Sequence, residues 1–284
     1  MNRLQFRRSG SAAPEVVSIL SGKGGVGKSL VSFNLAFALA ASGHRVLLVD
    51  ADFSSGNLHI LANARCEAGV RQYVSGDLGL SQAIVSLSDS IDLLGASYSG
   101  AIVDQFDITT TAHLIADLRR DGEQYDYILL DHASGISNAA TVLAHGSNVC
   151  LLVLVPELTS IADAYGLYKY LIETNASLDC RLVVNRCQHV DEPGYIREKF
   201  TTLTDRFLGQ APGYLGHLEE TPLVRRALAL QRPLLQVDPE HHIVQQLTRL
   251  TERLTAAGSA VSEPEFSLSV TDDKKTPAAA DIKE

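Results

Sequence analysis

A chain of 284 residues with 45% hydrophobic and 20% charged residues has ordinary globular composition, enough for one large α/β core or two small ones. Its 24 Lys and Arg against 33 Asp and Glu give a formal charge of −9, which argues against bulk binding to nucleic acid or to an anionic membrane. Cys66, Cys150, Cys180 and Cys187 lack C-x-x-C spacing, which sets aside zinc and iron–sulfur frameworks and fits buried thiols in a reducing cytoplasm.

Residues 1–13 carry Arg3, Arg7 and Arg8 without an apolar run behind them, so they read as a disordered N-terminus and not a secretory signal. From there, short β-branched or leucine-rich runs alternate with segments of helical period. The runs predict strands over Val16–Ser21, Arg45–Asp50, Ile91–Leu94, Asp126–Asp131, Asn148–Val155, Arg181–Cys187 and Tyr214–Leu218. Between them, Lys28–Ser42, Ile108–Arg120, Thr159–Thr174 and Tyr195–Phe207 predict helices. Strands that are apolar throughout belong in a mostly parallel sheet covered on both faces, so the expected fold is a doubly wound α/β sheet flanked by helices. The longest apolar run, Val149–Val155, is too short to span a bilayer. A last helix over Pro239–Thr255 places Ile243, Val244, Leu247, Leu250 and Leu254 on one stripe, facing either the sheet or a partner or membrane. Residues 258–284 turn to Ser, Pro, Ala and charged residues without periodicity. Six acids and three lysines over 259–284 predict a disordered acidic tail. The folded domain is therefore placed at 14–257.

Gly22-Lys23-Gly24-Gly25-Val26-Gly27-Lys28-Ser29 matches G-x-x-x-x-G-K-[ST], with a strand running in and an amphipathic helix leading out. That spacing lets the backbone amides of Gly24, Gly25, Val26 and Gly27 converge on phosphate oxygens at a helix N-terminus. Lys28 is expected on the β- and γ-phosphates and the Ser29 hydroxyl on Mg²⁺. Acids end two strands: Asp50 and Asp52 in "VDAD", and Asp131 in "LLDHASG". Asp131 reads as the magnesium-supporting Walker B acid, with a helix cap as its structural alternative. Gly135, four residues on, reads as the amide that senses the γ-phosphate. Asp50 reads equally as structural or functional. Asp52, entering the loop, is the better candidate for orienting water and supporting the metal.

With Lys23 added, K-G-G-V-G-K-S resembles the deviant Walker A motif of the MinD/ParA group of P-loop ATPases. The resemblance covers most of residues 16–250. It is specific at Ser21–Ser29, at "LLVDADFSSGNL" (47–58), at "ILLDHASGI" (128–136) and at "PELTSIADAYGLYKYL" (156–171). The last stretch is most similar to the flagellar-number FlhG/FleN subgroup, as are "TDRFLG" (204–209) and "VRRAL…QRP" (224–233). The resemblance implies ATP and Mg²⁺ as ligands and slow, partner-stimulated hydrolysis. It also implies an ATP-dependent homodimer in which Lys23 crosses to the partner's phosphates. Asn185, ending "RLVVNR", matches the adenine-reading asparagine, with Arg186 beside it in the nucleotide site. The implied partners are regulatory proteins: a flagellar GTPase, a flagellar basal-body component or a transcription activator.

Three features depart from the pattern. His132 stands where relatives usually carry a small hydroxyl residue. "MNRLQFRRSG" lacks the D-Q-A-x-x-L-R motif with which FlhG relatives activate a partner GTPase. The acidic end is unlike the basic membrane helix of MinD relatives, so any membrane contact at the inner membrane or cell pole falls to residues 239–257. Two rival functions remain open. One is a ParA-like DNA-segregation ATPase using Arg225, Arg226 and Arg232. The other is an ATP-binding antiactivator with little turnover.

Overall fold

The computed structural model describes residues 13–96 and 106–257; the predicted N-terminal flank and acidic tail lie outside the described residues, apart from residue 13. In chain order the elements are β1 (Glu15–Leu20), α1 (Lys28–Ala41), β2 (Val46–Ala51), α2 (Leu58–Leu61), α3 (Val70–Val74), α4 (Leu80–Ala83), β3 (Val85–Ser88), β4 (Ile91–Leu94), α5 (Ile108–Asp121), β5 (Tyr127–His132) and α6 (Asn138–His145). They continue with β6 (Val149–Leu154), α7 (Leu158–Thr174), β7 (Cys180–Cys187), α8 (Glu192–Leu208), β8 (Gly213–Glu219), α9 (Pro222–Leu230), α10 (Leu234–Val237) and α11 (His242–Ala257).

The strands form one sheet in the order β3-β4-β2-β5-β1-β6-β7-β8. Every pair is parallel except β3 with β4. All residues of β2, β5 and β6 are buried, as unbroken apolar runs require when helices cover both faces. One face carries α1 and α11 over Val17, Ile19, Val183 and Leu215. The other carries α7 and α8 over Leu152, Leu154 and Val184, and α5 over Val49, Ile128 and Leu130. β1 lies between β5 and β6, where the strand order reverses, so its C-terminal end opens into the crevice that binds ligands in such sheets.

All seven predicted strands are present. The eighth, β3, is a four-residue edge whose exposed Ser86 and Ser88 give it too little apolar signal. Helix α6, eight residues long and started by Ser137 accepting from the Ala140 amide, also escaped prediction. Two helix starts differ from expectation. α8 begins at Glu192, because Pro193 suits a first turn and the Glu192 carboxylate accepts from the Gln188 amide. α11 begins at His242, not Pro239, where the His241 imidazole Nδ1 accepts from the Ile243 amide.

The apolar stripe of α11 is fully committed to the core. Ile243, Val244, Leu247, Leu250 and Leu254 are each at most 4% exposed, packed toward β8 and α1. Of the two readings of the stripe, packing on the sheet is the one observed: the side chains that would enter lipid hold α11 to the sheet. Among the described residues, no helix is long and apolar enough to cross a membrane.

Candidate functional site

The loop between β1 and α1 is held by two close approaches. A Cβ on Gly22 would collide with the Asp163 backbone in α7, so only glycine lets the strand end turn against that helix. Gly27 has φ +86 and faces the Asn185 amide so closely that a side chain would strike it. Among the described residues, the amides of Gly24, Gly25, Val26 and Gly27 meet no protein acceptor. They form a run of donors at the N-terminus of a 14-residue helix.

Lys28, the first residue of α1, reaches across to Asp131 at the end of β5, with Nζ to Oδ1 at 2.6 Å. Both groups are buried, and the Ser32 hydroxyl also donates to Asp131 Oδ1 at 3.0 Å. Asp131 therefore faces the phosphate loop and caps no helix. Ser29 follows at the loop mouth, partly exposed. The Gly135 amide, with φ +85, donates to the Ser21 carbonyl at 2.8 Å, which brings the predicted sensor against the strand that delivers the loop. Asn185 Nδ2 donates to the Val26 carbonyl at 2.7 Å, so the strand-end asparagine abuts the loop. Arg186 sits in a left-handed conformation (φ 59) and pairs with Glu220 at 2.7 Å.

Lys23 does not reach into the loop. Its Nζ donates to Glu157 Oε2 at 2.8 Å and Thr159 Oγ1 at 2.9 Å, at the start of α7. The lysine holds the Glu157 carboxyl below the usual carboxylate range. These two partners, and Ser32, were missed from the sequence. Their only signal is topological: Glu157 follows β6, the strand beside β1.

The family-model comparison matches residues 17–234 to the CobQ/CobB/MinD/ParA nucleotide binding domain. The chain belongs to this family. Antiactivator FleN of Pseudomonas aeruginosa is 30% identical over 82% of this chain and 84% of its own length. The flagellum site-determining protein YlxH of Helicobacter pylori is 24% identical over 84% and 81%. Septum site-determining protein MinD of Pyrococcus horikoshii, solved with Mg-ADP, superposes with a TM-score of 0.73 at 24% identity, covering 86% of this chain and 97% of that one. The chain is thus a P-loop ATPase-family protein of the MinD/ParA type with FlhG/FleN relatives.

In this MinD/ParA-type protein the two carboxylates at the C-terminal end of β2, Asp50 within the strand and Asp52 just past it, stand differently. Asp52 is turned onto its own loop, accepting from the amide and hydroxyl of Ser55 at 2.9 and 3.2 Å and from the Ser54 hydroxyl at 2.9 Å. Asp50 is buried beside Asp131 in the next strand, accepting from the Leu58 and Asp52 amides. Burial first, and the Asp131 charge second, push its carboxyl up to about 7. The folded state thus keeps this proton to higher pH than the unfolded chain, so the stabilisation is complete below the ordinary carboxyl value of 3.8 and lost as pH rises through about 7. Asp50→Asn removes that titration. Its unfolding free energy in EDTA is expected to fall less than that of wild type between about pH 6 and pH 8.5, by about 1 kcal/mol. Parallel melting curves would refute the assignment.

His132, the departure from the family pattern, faces away from Asp131 because successive strand residues alternate. It is fully buried on the α6 side of the sheet, bonded to Ser18 at 2.8 Å. Burial, reinforced by the Lys28 charge, depresses its pKa to about 3 and keeps the ring neutral.

Proposed function

We propose that this chain is an ATP-driven switch: it binds Mg·ATP, dimerises in that state, and returns to the monomer by slow, partner-stimulated hydrolysis. The carrying observation is the pair of lysines. Lys28 lies inside the phosphate loop and Lys23 stands on its rim, free to turn outward once Glu157 and Thr159 let go. The amides of Gly24, Gly25, Val26 and Gly27, with Lys28, would cradle a triphosphate, and Asn185 and Arg186 would meet the base. Ser29, Asp131 and Asp52 supply the oxygen donors that Mg²⁺ prefers. When bound, Mg²⁺ draws off charge that develops on the phosphate oxygens. Lys28 exchanges Asp131 for phosphate, Gly135 exchanges the Ser21 carbonyl for the γ-phosphate, and Asp52 orients the attacking water.

The output we infer is control of the number or placement of flagella or a similar polar organelle, from the cytoplasm. Its support is the likeness to FleN and YlxH. The ATPase domain would span 14–257, with residues 1–13 and 258–284 as disordered flanks. FleN's description as an antiactivator favours a second reading, in which the ATP-bound form sequesters a transcription activator with little turnover.

Asp52→Ala tests the mechanism. It is expected to lower kcat at least about 100-fold and to accumulate an ATP-bound dimer; unchanged kcat moves the water-orienting role elsewhere. Flagellar counts and flagellar transcript levels in a deletion strain carrying this variant separate the two outputs. Repression that persists without turnover supports sequestration, whereas misplaced or supernumerary flagella with normal transcripts support a placement switch.

A further inference from the structure

We propose that His132 is a positioning residue for the switch loop, tying β5 to the phosphate-loop strand and to α6 so that only residues 133–137 move when Gly135 turns. The catalytic consequence rests on the switch-ATPase reading above; the tie itself does not.

Three buried side chains from three parts of the fold meet on the sheet face opposite Asp131: Ser18 of β1, His132 of β5, and Ser147 just after α6. The direction of their hydrogen bonds follows from proton counting. Ser147 Oγ donates to the Leu143 carbonyl in the last turn of α6 at 2.7 Å, so its oxygen is the acceptor for Ser18 Oγ at 2.8 Å. Ser18, with its one proton directed there, accepts from His132 Nε2–H at 2.8 Å. The ring is therefore the Nε2–H tautomer. Its Nδ1 is buried and without a partner among the described residues. A chain of donors thus runs from the residue next to Asp131, through the strand that ends in the phosphate loop, to the far end of the helix that follows the switch.

Both ends of the switch loop are anchored by this chain. His132 fixes its start to β1, and α6, entered through the Ser137 cap, is fixed at its other end through Ser147. Turning the Gly135 amide from Ser21 toward a phosphate must then be absorbed within residues 133–137, where Gly135 already occupies the left-handed region open to glycine. Without the histidine, α6 can follow the loop, and the phosphate-sensing geometry spreads over a softer region.

The test compares His132→Leu, His132→Gln and Ser147→Ala with wild type. Gln keeps a donor near the Nε2 position, and Leu has none. Expected for His132→Leu and Ser147→Ala is a fall in kcat of about tenfold, with KM for ATP and affinity for MgADP held within about twofold. His132→Gln should recover most of the kcat. Wild-type kcat in His132→Leu or Ser147→Ala, no recovery in His132→Gln, or parallel loss of kcat and ADP affinity overturns the proposal. If His132→Leu does not fold, Ser147→Ala and His132→Gln decide it by the same criteria. Nitrogen NMR of the wild-type ring supplies a readout independent of turnover. An Nε2–H tautomer protected from exchange supports the tie, and an Nδ1–H tautomer overturns it. Absence of wild-type ATP hydrolysis would refute the switch reading instead, leaving the ring tautomer to judge the tie.

Discussion

Lys28→Ala is expected to weaken binding of MgATP and MgADP by at least about 100-fold and, separately, to destabilise the fold by about 3–5 kcal/mol. The second effect distinguishes this loop from one whose lysine waits in solvent. Lys28 is 8% exposed and Asp131 2%, and their atoms lie 2.6 Å apart. Removing the ammonium leaves the Asp131 carboxylate buried with Ser32 as a donor and Asp50 as a neighbour in the adjacent strand. Asp131→Asn added to Lys28→Ala removes that unpaired charge. The double variant should recover most of the stability and none of the nucleotide affinity. Denaturant unfolding and nucleotide titration of the two variants provide the check. A single variant that unfolds like wild type would show that the buried pair does not hold the site together; unchanged ADP affinity would remove Lys28 from the phosphates.

That buried pair also marks where the sequence is legible and where it is not. The strand–loop–helix around Gly22–Ser29 is local, its residues are consecutive, and the structure has it where the spacing predicts. Asp131 could be placed near Lys28 because ligands gather at strand C-termini, although strand order could not be read directly. Lys23 with Glu157 was not legible. The partners are 134 positions apart, and nothing in "VPELTS" says that β6 lies beside β1. The amphipathic stripe of α11 had two physical readings, core or lipid, and only the presence of α1 and β8 against it decides between them. The direction of His132 was available in principle, since strand residues alternate and Asp131 had already been given to the loop face. What could not be foreseen was that Ser18 and Ser147, both unremarkable in sequence, would meet it in the core.

Lys23→Ala is expected to leave MgADP affinity within about threefold of wild type and to abolish the dimer that a nonhydrolysable ATP analogue would induce in wild type. Two ammonium groups beside one phosphate loop repel each other, and a triphosphate between them reverses the sign. A lysine that can cross to a neighbouring site therefore makes association depend on the nucleotide. In this structure the lysine is parked on Glu157 and Thr159 of its own chain, with 37% of its side chain exposed. Such an exposed pair is weak and readily broken, which is what a reversible crossing requires. Glu157→Ala removes the parking site without touching the phosphate loop. If Glu157 only holds Lys23 back, this variant should dimerise at an analogue concentration lower by a factor of about two to five. Size-exclusion chromatography across an analogue titration reads both variants. Dimers that persist in Lys23→Ala would refute the crossing lysine. Dimers lost in Glu157→Ala would instead make Glu157 part of the dimer contact, with Lys23 carrying it across the interface.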